Sequence, residues 1–180
     1  MFLATAAAGA TTITFNNLTG SYGDGAAIGA NMSTTNTSLS YTEGGFLFTL
    51  LTPATYIGGA HIGDAGGTSN FNWHDDGDNG VGAYVTVTKV GGGLFNLNSF
   101  NYVSNSLTVS ATGKTNQVFS GTGLANLNFL GVSSVNFSSS GYTYNQLDNV
   151  TLSNAVPEPT SLALIAAALG LLGAARRRKA

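Results

Sequence analysis

The sequence predicts an all-β protein, an antiparallel β-sandwich followed by one short C-terminal hydrophobic helix. Three observations predict it. Short apolar runs alternate with period two and are separated by Gly, Asn, Asp and Ser. Only 8% of the 180 residues are charged, against about 25% in typical domains, so polarity rests on hydroxyls and amides that suit turns. Before Ser161 no stretch keeps an apolar 3.6-residue spacing over three turns.

Residues 11–154 form the predicted sandwich. "TTITF" (11–15) alternates, and "GGFLFTLL" (44–51) puts Phe46, Phe48 and Leu50 on one face. "GAYVTVTKV" (82–90) turns Val85 and Val87 inward and Tyr84, Thr86 and Thr88 outward. "LFNLNSFNYV" (94–103) begins with Phe95 and Leu97 on one face, then shifts phase to Phe100 and Tyr102. A phase change inside a strand predicts a β-bulge near Asn98-Ser99. "SLTVSA" (106–111), "ANLNFL" (125–130), "SSVNF" (133–137) and "QLDNVTLS" (146–153) complete the set. Many strands with no helix between them argue for the sandwich. Long connections such as 16–38 favour a jelly-roll-like arrangement over a meander.

Charge excludes one function class. Residues 1–155 carry Lys89 and Lys114 against seven acids, a balance of −5. Phosphate contacts need clustered Lys or Arg, so nucleic acid is not an expected partner. With no cysteine in the chain, disulfides, thiolate catalysis and cysteine-ligated zinc are excluded.

The two ends read as addresses. Residues 1–10 are small and apolar, and Ala8-Gly9-Ala10 fits a cleavage site, so this stretch is expected to be a residual or truncated signal peptide. Residues 155–160 form a linker with two of the three prolines. Ser161 to Ala175 is uncharged; as a helix it spans about 22 Å, a short transmembrane segment against a bilayer core of about 30 Å. Arg176, Arg177, Arg178 and Lys179 make residues 176–180 a basic cytoplasmic tail, a membrane stop and an orientation signal.

Val156-Pro157-Glu158-Pro159, an apolar helix and a terminal arginine cluster, in that order, resemble the PEP-CTERM sorting signal. The resemblance implies an exosortase-type processing protease that recognises the proline motif, a transient membrane anchor, and export to the cell surface or exterior. "GGFLF", "LFNLNSFNY", "NLNFLGVSSVNFS" and "LDNVTL" resemble the β-sandwich bodies common on such proteins and, more widely, carbohydrate-binding jelly-roll modules. That likeness suggests extracellular polysaccharide as a contact. It also makes Asp148, in the closing strand, a candidate ligand of a structural Ca²⁺.

"NWHDDGDNGVG" (72–82) is the densest chemical stretch. Asp75, Asp76 and Asp78 could give oxygens to Ca²⁺, although the EF-hand alternation is broken at its third position and no Glu closes it. The same residues fit a solvated turn, since Asp-Gly and Asn-Gly are turn pairs. Trp73, the sole tryptophan, beside Asp75, Asp76 and Asn79 has the ingredients of a sugar contact; equally, a lone Trp in a sandwich fits its core. His61 and His74 lack a helical metal spacing, and "ATGKT" (111–115) reads as a hairpin turn because Thr108 stands where a phosphate loop needs Gly. Glu43 is the one glutamate before the tail, so paired carboxylates for glycoside hydrolysis are not evident. The expected function is non-catalytic, at the cell surface or in the extracellular matrix. A Ca²⁺-stabilised carbohydrate-binding module and a secreted hydrolase are the alternatives.

Overall fold

The computed structural model describes residues 9–16, 18, 32–34, 38–51, 70–73, 82–139 and 144–155. Within them ten strands form one antiparallel sheet: β1 (Ala10–Ile13), β2 (Met32–Thr34), β3 (Ser38–Glu43), β4 (Phe46–Leu51), β5 (Phe71–Trp73), β6 (Tyr84–Lys89), β7 (Phe95–Ser110), β8 (Gln117–Val132), β9 (Ser134–Ser139) and β10 (Asn145–Asn154). The order is β1-β10-β7-β9-β6-β4-β3-β2, with β5 added to β10 and β8 to β7. The described residues contain no helix, and none there is long and apolar enough to cross a membrane. Residues 1–8 of the expected signal segment 1–10, the sorting motif, residues 161–175 and the basic tail lie outside the described residues; Gly9 and Ala10 are described, and Ala10 opens β1.

The sheet curls because β7 serves two neighbours. Its first half pairs with β10 and its last four residues pair with β9, while β8 follows its other edge throughout. The expected sandwich is therefore a single sheet whose two halves face one another across an aromatic core. Phe15 packs on Tyr41 and Phe48, Phe46 on Phe95, and Phe100 edge-on to Phe137 at 5.2 Å.

Strict alternation decides which side chains fill that core. Phe46, Phe48 and Leu50 of β4 and Val85 and Val87 of β6 are buried, as their period-two spacing predicts. The bulge expected near Asn98-Ser99 is present. Leu97 pairs with Leu152 and Ser99 with Thr151, while Phe129 and Asn126 stand opposite the same two residues across β8. This slip keeps both Leu97 and Phe100 inside.

Three strands were not among those predicted. β2 and β5 have three residues each, too few for alternation to register, whereas β3 alternates Leu39 and Tyr41 with Ser and Thr, a period-two signal that the prediction missed. β8 also begins eight residues before its apolar "ANLNFL" run, because the ladder with β7 carries the glycine-rich first half. The stretch predicted as two strands, 94–103 and 106–111, is the continuous β7.

Gly44 and Gly45 form the tight β3–β4 turn, both at positive φ (58° and 83°) between the paired Glu43 and Phe46. A Cβ on Gly44 would meet Thr11 Cγ2 at 2.7 Å and Ile13 Cδ1 at 2.8 Å, so β1 can cross there only over glycine. Glu43 then anchors the chain that follows β1. Its carboxylate accepts the Thr14 and Phe15 amides at 3.1 and 2.9 Å, the Thr14 hydroxyl at 3.3 Å and the Tyr41 hydroxyl. Phe15 sits at φ 56°, a left-handed conformation costly for a bulky residue, and the Glu43 acceptor holds it there.

Candidate functional site

Alternation leaves the outer faces of β10 and β7 mostly polar and that of β8 mixed, with Val118, Leu124 and Leu130 among Ser, Thr and Asn. Leu147 and Phe100 point into the core, so their neighbours Gln146, Asp148 and Asn101 point out. Register brings these together: Asp148 stands opposite Asn101, and Gln146 opposite Val103, which faces Thr122 on its other side. Together with Tyr102 and Gly123 they line a cleft of about 280 Å³, near the lower limit of about 300 Å³ for small-ligand sites.

The polar groups of this cleft differ from those elsewhere on the same face. Asn96 and Asn98 are tied to Ser153, at 3.1 and 3.4 Å, and Asn96 also accepts the Gly131 amide at 2.8 Å. Asn101, Gln146 and Thr122 make no side-chain hydrogen bond to another described residue. Two carboxamides, each able to donate and accept, and one hydroxyl are thus available side by side. Asp148 accepts the Asn149 amide at 2.7 Å and the Asn149 side chain at 2.9 Å. Asn149 bends back to do so in a left-handed conformation, φ 47°, that suits Asn. Partial burial pushes the Asp148 carboxyl above its ordinary value. The Asn149 amide opposes that rise and nearby Glu43 adds to it.

Sequence reasoning placed its carbohydrate contact elsewhere. Trp73 is 1% exposed and packs against Phe71 at 6.1 Å, so its ring offers no face to a ligand, and its buried indole N–H has no acceptor among the described residues. The cause is pairing: Trp73 lies opposite Asn145 on the short strand β5, which docks on the core edge of β10. Asp75, Asp76, Asp78 and Asn79 lie outside the described residues, as do His61 and His74. Of the expected Ca²⁺ ligands only Asp148 is described, and both its oxygens already accept from Asn149. Among the described residues no three His, Cys, Asp or Glu side chains group to hold a metal ion.

Asn101, Gln146 and Thr122 were not singled out from sequence. The signal for the first two was present, since each flanks a core residue in an alternating run. Thr122 lies in the glycine-rich half of β8, where only its pairing with Val103 reveals it.

Comparison with known proteins divides the chain in the same way. Residues 155–179 match the PEP-CTERM protein-sorting motif, and the chain carries that motif. No curated protein matches. The β-rich body is similar in fold to two single-residue variants of a family 29 carbohydrate-binding module, made to probe its mechanism of ligand recognition. One is 10% identical, over 85% of this chain and 99% of that one, with a TM-score of 0.42. The other is 9% identical, over 83% and 94%, also at 0.42. The likeness is one of strand arrangement.

Proposed function

We propose that this chain is an exported, non-catalytic bacterial surface or extracellular-matrix protein, sorted through its C-terminal motif, whose body contacts exopolysaccharide at the β7–β8–β10 cleft. The sorting motif at 155–179 carries the first half of this reading. An exosortase-type protease acts at Pro157-Glu158-Pro159. Residues 161–175 hold the chain in the membrane until then, and Arg176, Arg177, Arg178 and Lys179 keep the tail on the cytoplasmic side. A span shorter than the bilayer suits an anchor that is needed only before processing.

The available side chains of the cleft support the second half. A polysaccharide offers rows of hydroxyls that both donate and accept. Asn101, Gln146 and Thr122 match both roles, and Asp148 adds an acceptor. Asp148 is the one acid among the described lining residues, whereas glycoside hydrolysis in its usual form uses two facing carboxylates.

Two measurements test the reading. Mass spectrometry of the mature protein from hosts with and without exosortase should show loss of the tail only in the first; a retained tail in both removes the sorting half. Co-sedimentation with the host's own polysaccharide should weaken about tenfold or more in Asn101→Ala/Gln146→Ala, for about one to two hydrogen bonds lost. Equal binding by the double variant, or no binding by the parent, removes the cleft.

A further inference from the structure

Among the described strands β8 has the longest edge that no other strand pairs. Its 16 residues pair with β7 on one side, and no other described strand pairs with it. An edge of that kind is a template for another strand, and proteins usually blunt it with charge or proline. Gln117 to Val132 contains neither. Its even-numbered side chains, from Val118 to Leu130, are all exposed. Val118, Leu124 and Leu130 are 68%, 60% and 55% exposed, the three most exposed large apolar side chains among the described residues.

Their spacing is symmetric. Val118 and Leu130 each lie six residues from Leu124, and Ser120 and Thr122 mirror Asn128 and Asn126. On the inner face Phe119 mirrors Phe129. Leu124 lies inside the stretch in unbroken register with β7, Gly121 to Asn126. Gly121, at one end of that stretch, and Gly131, beyond the other, have positive φ.

We propose that two copies of this chain associate through β8, antiparallel and edge to edge, about a two-fold axis at Leu124. In that register Leu124 meets Leu124 of the second copy and Val118 meets Leu130. Each polar outward residue meets a polar one. A two-fold contact must be self-complementary, and this edge is so in both apolar pattern and charge, since no like charges are brought together along it. Both outer faces then lie on one side of a continuous sheet. The two β7 strands come about 14 Å apart, three strand spacings of about 4.8 Å. Both clefts would face the same way, but the association does not depend on what the cleft binds.

The chain has no cysteine, so single-cysteine variants of the full chain report one contact each. A residue on the axis can cross-link to itself, within the Cα separation of about 4.4–6.8 Å that a disulfide requires. Under mild oxidation in detergent-solubilised protein, Leu124→Cys should form disulfide dimers about tenfold faster than Val118→Cys, Leu130→Cys or Val90→Cys, the last being an exposed control on the β6–β7 turn. The double variant Val118→Cys/Leu130→Cys should recover the fast rate. Sedimentation equilibrium should show Leu124→Lys and Leu124→Glu each dissociating about tenfold more readily than the parent, and their mixture restored. Melting temperatures should stay near the parent value for these exposed substitutions. A parent that is monomeric throughout the micromolar range overturns the proposal. So does cross-linking at Leu124→Cys no faster than at Val90→Cys, or a Lys and Glu mixture that stays monomeric.

Discussion

Truncation of Glu43 to alanine tests how the end of β1 is held. The substitution removes the acceptor for the Thr14 and Phe15 amides, the Thr14 hydroxyl and the Tyr41 hydroxyl. Thr14 is only partly buried, so water can replace Glu43 at both its amide and its long hydroxyl bond, 3.1 and 3.3 Å. Phe15 and Tyr41 are fully buried, so the Phe15 amide and the Tyr41 phenol each lose the Glu43 acceptor out of reach of water. At about 1.5 kcal/mol for each of these two charge-assisted bonds, the loss is about 3 kcal/mol. Phe15 also loses the contact that holds its left-handed backbone. For a domain of this size, about 3 °C per kcal/mol converts the loss to a fall in Tm of about 9 °C, read by circular dichroism or calorimetry. Thr14→Ala, which removes only the long hydroxyl bond, should cost less than about 0.5 kcal/mol. A Glu43→Ala protein melting within about 2 °C of the parent, or matched by Thr14→Ala, would refute the anchoring role.

Two other outcomes follow from the same structure. Asp148 has a folded pKa raised above its ordinary value of 3.8, so its contribution to stability is fully present below that value and is lost as pH rises through the folded pKa. Relative to Asp148→Asn, the parent should therefore lose Tm between about pH 4 and neutrality, and a constant or opposite difference across that window would contradict the assignment. Trp73→Phe loses packing volume but also removes a buried indole N–H that has no acceptor among the described residues, terms of about 1–3 kcal/mol with opposite sign. Chemical denaturation should find a net change within about 1 kcal/mol, and a loss above about 3 kcal/mol would mean the N–H is paired in solution.

Much of the fold was legible because alternation is a local property. The inward residues of β4 and β6 follow from period two, and the phase change after Leu97 marks the bulge in a single strand. What was not legible rests on partners distant in sequence. β5 has three residues and is a strand only because β10 offers it a ladder, and that same docking buries Trp73. A sequence with one tryptophan beside acids and amides cannot distinguish a ring facing solvent from a ring facing Phe71. The difference is which edge of β10 is vacant.

The cleft is a product of register. Asn101, Thr122 and Gln146 belong to three strands, and their meeting depends on the pairings of β7 with both β8 and β10. Asp148, singled out from sequence as a metal ligand, stands opposite Asn101 across the ladder, and each of its oxygens accepts one bond from Asn149.

By itself the sequence determined the elements whose information is contiguous: the period-two strands, the bulge, and the sorting motif at 155–179, which needs only order along the chain. Tertiary structure alone decided which strands are neighbours. It thereby made one curled sheet out of an expected sandwich, a buried Trp73, a cleft of unengaged amides and an uncovered β8. The physical reason is that a β-strand satisfies its backbone through residues far away in sequence, so its outward chemistry is known only once its partners are.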